Sequence, residues 1–373
     1  MLPTTSDNVS RLAEVLPSSI ASLRGESNSL GLPSAQAVVV VLVDGLGVAN
    51  LRARAGHARF LASRLGSKDV LRTVFPSTTA AAITTLCTGQ PPGEHGIVGF
   101  RTLDPRHDEL RNQLRDWDTG LLPPAWQRSP TVFEQATDIP CFVVGASRYS
   151  DSGFTRVVLR GARYVSAASI AERCAAAEQI VRTQRNPLVY LYVSELDTLA
   201  HAHGWESEAW LRALEELDAA VADFAKRMPR GTALLVTADH GVVDVPSSQH
   251  VFLDEKPDML RGIRHTGGEP RCVSLYLEPG ADIAAVAQLW REQEDHRGWV
   301  LTRDEVVAAG LFGPVNDEVV PRMGDIFIAA RARIAYYDRR AADRRGETMI
   351  AQHGSLTDEE VRVPLIRAGV FAR

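Results

Sequence analysis

Apolar runs of strand length recur along the chain at Ala37–Val43, Cys141–Gly145, Leu188–Val193 and Ala233–Thr237. Between them lie segments whose apolar residues return every three or four positions, and that alternation predicts parallel strands joined by crossover helices. The clearest helix runs from about Glu206 to Lys226, with Trp210, Leu214, Leu217, Val221 and Phe224 on one stripe and charges between them. A second, around Ala168 to Arg182, precedes Leu188–Val193 as a βαβ crossover requires. The pattern predicts a single α/β domain over 1–373, a doubly wound, mostly parallel sheet flanked by helices.

Two stretches leave this alternation and read as insertions that form a smaller cap. Residues 99–130 are polar and rich in Arg, Asp, Trp and Pro, while 247–322 contain a strand-like Cys272–Leu277 and a helix-like Asp282–Glu294. The apolar runs fall far short of the ~20 residues that cross a bilayer, so no membrane partner is expected. A formal charge of −5 gives no reason to expect a nucleic-acid polymer as partner. The start Met1-Leu-Pro-Thr-Thr-Ser has no basic and apolar leader pattern, and Cys87, Cys141, Cys174 and Cys272 are widely spaced. Free thiols in a cytoplasmic protein are the expectation.

Chemistry-bearing residues sit where the strands end. Asp44 follows Ala37–Val43, Asp197 and His201 follow Leu188–Val193, Asp239 and His240 follow Ala233–Thr237, and His353 lies in Ala351-Gln-His-Gly. Side chains at the carboxyl ends of several strands of an open α/β sheet converge on one crevice. Asp197 and His201, four apart, share one helix face and can reach one cation. Three carboxylates and three imidazoles together suit two divalent metals. The block Val74-Phe-Pro-Ser-Thr-Thr-Ala reads as an extended entry into a helix with hydroxyls at its start. Such hydroxyls cap free backbone amides, and the same amides bind phosphate.

The order Asp44, Thr79, Asp197–His201, Asp239–His240, His353, with the block Phe75–Gly96, resembles the alkaline phosphatase superfamily. Within it, the type I phosphodiesterase/nucleotide pyrophosphatase family is the nearest resemblance. It implies one zinc ion on Asp197, His201 and His353, and a second on Asp44, Asp239 and His240 with the Thr79 hydroxyl. Thr79, rather than its neighbour Thr78, takes the nucleophile position. The implied reaction is cleavage of a phosphodiester or phosphoanhydride through a threonyl-phosphate, on a small phosphorylated substrate, a nucleotide among the candidates.

Two positions depart from the family pattern. Ala80 stands where a base-stacking aromatic usually follows the nucleophile, and Phe100 where an asparagine binds a phosphate oxygen. Those departures keep open a phosphomonoesterase or phosphonate hydrolase, and a non-catalytic zinc-binding relative. Substitute contacts are sought in the insertions, at Asn112, Arg115 and Arg271 first, with Arg101, Trp117 and His265 beside them. His95 in its glycine-rich turn is read as fixing the turn's shape, His203 as supporting the ligands or exposed, and Asp244 as bonding local backbone.

Overall fold

The computed structural model describes residues 9–341 and 344–373. Its core is a six-stranded sheet in the order Ile366–Gly369, Thr232–Thr237, Ala37–Val43, Leu188–Val193, Cys141–Gly145, Arg163–Ser166. All neighbours run parallel except Ile366–Gly369, which lies antiparallel to Thr232–Thr237. All seven positions of Ala37–Val43 are buried. Because successive side chains point to opposite faces, both faces of the sheet are covered, which is why this strand reads as a continuous valine run.

The crossover helices form where their patterns predict. Ile170–Thr183 begins at Ser169, whose hydroxyl accepts from the Glu172 amide while the Glu172 carboxylate returns to the Ser169 amide at 3.0 Å. Glu208–Arg227 buries Trp210, Leu214, Leu217, Val221 and Phe224 and packs beside that helix. Two edge strands escaped the pattern. Arg163–Ser166 and Ile366–Gly369 are four residues long, too short for a periodicity, and the first is half exposed.

The later insertion is a four-stranded antiparallel sheet ordered Ile263–Glu269, Cys272–Leu277, Ile326–Ala330, Gly298–Thr302. Cys272–Leu277 is a strand as its alternation predicts, yet all six positions are buried. Val273 and Leu275 face Trp290 of the helix Ile283–Glu294, while Cys272 joins Phe75 and Phe327 on the other face. This unit runs past residue 322: Ile326–Ala330 completes the sheet, and Ala335–Tyr337 pairs with His250–Phe252. The first insertion is a hairpin of Arg101–Asp104 and Glu109–Asn112. The Leu103 amide donates to the Tyr276 hydroxyl at 3.2 Å, and His265 Nε2 pairs with Asp108 at 2.9 Å. These contacts join the hairpin to the later antiparallel sheet. No helix among the described residues is long and apolar enough to cross a membrane. The four cysteines are free and buried, and burial raises the pKa of each thiol.

Candidate active site

Three neighbouring strands, Thr232–Thr237, Ala37–Val43 and Leu188–Val193, end at one edge, with Leu42 paired to both Thr237 and Tyr192. Asp239, Asp44 and Asp197 follow them. Sequence separations of up to 195 residues collapse into a cluster because the parallel register aligns the strand ends. Gly45, at φ 75°, lets the chain turn away beside Asp197, where a Cβ would lie 3.1 Å from the Asp197 Cβ. The Gly45 and His240 amides donate to Asp239 Oδ1 at 3.1 and 3.0 Å, fixing that carboxylate. The Tyr192 hydroxyl donates to Asp44 Oδ2.

Each histidine is anchored through Nδ1. His201 donates to the Ala351 carbonyl at 2.7 Å, His353 to the Ser77 carbonyl at 2.8 Å and His240 to the Gly241 carbonyl at 3.2 Å. A carbonyl only accepts, so Nδ1 carries the proton and Nε2 presents a lone pair to the centre, the arrangement of metal-binding imidazoles. His240 stacks on His353 with ring centroids 3.6 Å apart.

The ligand atoms fall into two groups, Asp44 with Asp239 and His240, and Asp197 with His240 and His353, each within 4.8 Å. The first matches the set implied by the resemblance. In the second, His240 stands where His201 was expected, and His201 Nε2 lies 3.3 Å from Asp197 Oδ2. His353 Nε2 is 4.0 Å from Asp197 Oδ1.

The residues fit divalent cations. Asp44 Oδ1, Asp197 Oδ1 and Asp239 Oδ2 are buried without a hydrogen-bond partner, and a buried unpaired carboxylate oxygen is costly unless a cation meets it. Burial, then the neighbouring Asp239 and Asp197, raises the Asp44 pKa well above the usual range. Burial and Asp197 push Asp239 up to about 7. Burial lowers the pKa of His240, and the nearby His353 and His201 add to it; burial also lowers that of His353. Neutral imidazoles are the ligating form, and added positive charge would relieve the crowded carboxylates.

Thr79 opens the helix Thr79–Thr88, and Thr78 precedes it with extended backbone and no side-chain cap. The first-turn amides have no partner inside the helix, which makes that end receptive to an anion. Thr79 Oγ1 lies 3.1 Å from His240 Nε2. With the His240 Nδ1 protonated, the hydroxyl donates to Nε2, so the nucleophile candidate points into the carboxylate and imidazole cluster.

A cavity of about 330 Å³ opens in front, lined by Thr78, Thr79, Asp197, His201 and His353 on the sheet side and by cap residues opposite. Arg115 and Arg101 line it, and neither guanidinium has an anionic partner among the described residues. Asn112 does not line it: its Oδ1 accepts from the Leu114 and Arg115 amides at 2.9 and 3.1 Å and shapes the turn. Arg271 is also elsewhere. Its guanidinium is 1% exposed, forms two 2.8 Å bonds to Glu360 and caps the Ala332 and Ile334 carbonyls, so no donor is left for a substrate. Trp117 is buried and donates to the Gln113 carbonyl.

His95 is wholly buried between the Ile97 amide and the Thr85 hydroxyl, and burial lowers its pKa to about 3. His203 is exposed, and Asp244 accepts from the Trp205 amide at 3.1 Å. Ala80 is fully buried, whereas Phe100 lines the cavity, so an aromatic residue is present at a different place. Sequence reading missed Tyr192 and Glu269. Tyr192 was legible only as one of two tyrosines in a buried strand; Glu269 lay in a loop-like Gly-Gly-Glu-Pro that gave no ligand signal.

The parallel sheet gathers acidic and imidazole side chains at its strand ends, facing a hydroxyl at a helix start, the arrangement that the resemblance implied. The chain belongs to the type I phosphodiesterase / nucleotide pyrophosphatase family, whose model matches residues 38–356. Among solved structures it resembles murine ectonucleotide pyrophosphatase / phosphodiesterase 5, with TM-score 0.68 and 17% identity over 89% of this chain and 88% of that one. It is similarly close to phosphonoacetate hydrolase from Sinorhizobium meliloti 1021 in complex with phosphonoacetate, with TM-score 0.70, 20% identity, and 90% and 91% of the two chains covered. A phosphopentomutase of Anaeromyxobacter dehalogenans (strain 2CP-C) is 29% identical over 168 residues, which span 45% of this chain and 41% of that protein.

Proposed function

We propose that the protein is a metal-dependent phosphoric ester hydrolase that cleaves a phosphodiester or phosphoanhydride bond of a small phosphorylated substrate. The observation that carries this reading is the convergence of three orphaned carboxylate oxygens and three Nδ1-anchored histidines on the Thr79 hydroxyl. Asp44, Asp239 and His240, with Thr79, would hold one divalent cation, and Asp197, His201 and His353 the other. When bound, such cations supply Lewis acidity and make a hydroxyl nucleophilic at neutral pH. Zinc is the proposed metal because mixed imidazole and carboxylate ligands suit it. Four buried free thiols fit a cytoplasmic setting.

Thr79 Oγ1 gives up its proton to solvent and attacks phosphorus; the new oxygen–phosphorus bond forms as the bond to the leaving group breaks, the leaving oxygen takes up a proton from water, and the first-turn amides of the Thr79 helix orient the phosphoryl oxygens. Water then cleaves the threonyl-phosphate and restores Thr79. The anchored Nδ1 atoms keep every imidazole in the tautomer this requires. Arg115, with Arg101, is proposed to meet further negative charge on the substrate, and Phe100 to pack against its organic portion.

A second reading, a phosphonate hydrolase or phosphomonoesterase, is favoured by one specific observation: Ala80 is buried and offers no ring beside the nucleophile for a base. Turnover of zinc-loaded protein on bis-p-nitrophenyl phosphate and p-nitrophenyl phosphate, with a chelated control, separates the readings. Preference for the diester supports the first and preference for the monoester the second. Thr79→Ala should abolish turnover while bound metal stays at two ions per chain; retained activity would refute the nucleophile.

A further inference from the structure

Glu269 ends the strand Ile263–Glu269 and lines the same cavity as Thr78, Thr79, Asp197, His201 and His353. The residue is 7% exposed; neither carboxyl oxygen completes a hydrogen bond within 3.5 Å, although the Thr78 hydroxyl approaches closely enough to favour the charged form. The other two buried glutamates are fully used: Glu294 by Lys256, Arg297 and Tyr336, and Glu360 by Arg271, Thr357 and the Ser355 amide.

The backbone is arranged around this side chain. Gly354, at φ 128°, leaves room where a Cβ would lie 2.4 Å from Glu269 Cγ. Arg271, two residues on, is pinned to Glu360, so the turn that carries Glu269 cannot swing it out to solvent. Glu269 belongs to neither group of metal-ligand atoms among the described residues. A buried carboxyl held without a partner is costly, and a donor brought by a ligand offsets that cost.

We propose that Glu269 is a substrate-contacting specificity residue, accepting a hydrogen bond from a hydroxyl or amino group on the portion of the substrate attached to phosphorus. The assignment rests on the phosphoryl-site reading above. It divides the cavity lining by chemistry: a buried acceptor, Glu269, and two cations, Arg101 and Arg115. The substrate class that follows is a phosphoryl compound with a donor group near phosphorus, in contrast to a purely hydrocarbon substituent.

The test is competitive inhibition of bis-p-nitrophenyl phosphate turnover by 2-hydroxyethylphosphonate, 2-aminoethylphosphonate and propylphosphonate, which share one skeleton and differ at the terminal atom. The wild-type protein should bind at least one of the two donor-bearing phosphonates on the order of tenfold more tightly than propylphosphonate. Glu269→Gln should shrink that ratio and Glu269→Leu should bring it to about one, with melting temperature confirming folded protein. Equal inhibition by all three in the wild type, which needs no variant, overturns the Glu269 assignment alone. An undiminished ratio in Glu269→Leu does the same. No inhibition by any phosphonate, with no turnover, overturns the phosphoryl-site reading and this assignment with it.

Discussion

Tyr192 and the Nδ1 anchors show how much of a metal-type site depends on groups that never face the cation. Tyr192→Phe removes the donor to Asp44 but leaves the ring, which sits edge-on to Tyr149. Zinc affinity, measured by chelator competition, should fall roughly 10-fold or more, the usual cost of losing an outer partner of a ligand. His353→Ala removes a proposed ligand and a ring stacked on His240, so metal content should drop toward one ion per chain; retention of both would refute the proposed role. At this scale the sequence was informative about acids and imidazoles at strand ends, since Asp-Gly and Asp-His-Gly mark a chain leaving the sheet. It was silent on Ser77, Ala351 and Gly241, which act through backbone carbonyls whatever side chain they bear.

At the scale of elements, Arg271 carries the instructive difference. As a lone arginine in a glycine- and proline-punctuated segment it reads as a substrate contact, yet it ties the cap to the segment after His353 through Glu360, and Glu360 also accepts from the Ser355 amide at 2.9 Å. Arg271→Ala leaves the buried Glu360 charge unmatched, and breaking such a pair costs about 3–5 kcal/mol. A large drop in the urea midpoint, with weaker metal retention because His353 loses its support, is expected; a near-neutral effect would sink this account. Arg115→Ala, by contrast, leaves stability almost unchanged and should raise KM for substrates with extra negative charge more than it lowers kcat. The strands and crossover helices were legible because burial imposes a period on them. The cap's boundary was not, because Ile326–Ala330 looks like any other apolar run until it pairs with Cys272–Leu277 and Gly298–Thr302.

The whole molecule concentrates its electrostatic strain at the sheet edge, and the pH dependence of metal-free protein should reveal it. Asp44, Asp239 and Glu269 have pKa values raised above their unfolded ones, with Asp239 at about 7 and Glu269 at about 8, in each case chiefly through burial. A raised carboxyl pKa means the native state holds protons the unfolded chain has released, so stability falls as pH rises through the folded values. His240 and His353 act in the opposite sense, but only below the unfolded histidine value near 6.5. Between pH 6.5 and 8.5 the carboxyls dominate. The melting temperature of chelated protein should therefore decline across that window, and zinc should raise it more at pH 8.5 than at pH 6.5. A flat chelated profile would count against three crowded acids at the site.

The sequence by itself determined the strand and helix periods, the doubly wound class and the set of acids, histidines and the threonine available for metal and phosphoryl chemistry, because burial and strand-end position leave local marks. Only the tertiary structure decided which oxygens stay unpartnered, that Arg271 is a strut while Arg115 lines the cavity, and that Glu269 lines the same cavity as Thr79. Those are relations between segments distant in sequence, 89 residues apart for Arg271 and Glu360, and pairing across such distances depends on parallel register and packing between segments, which no local pattern encodes.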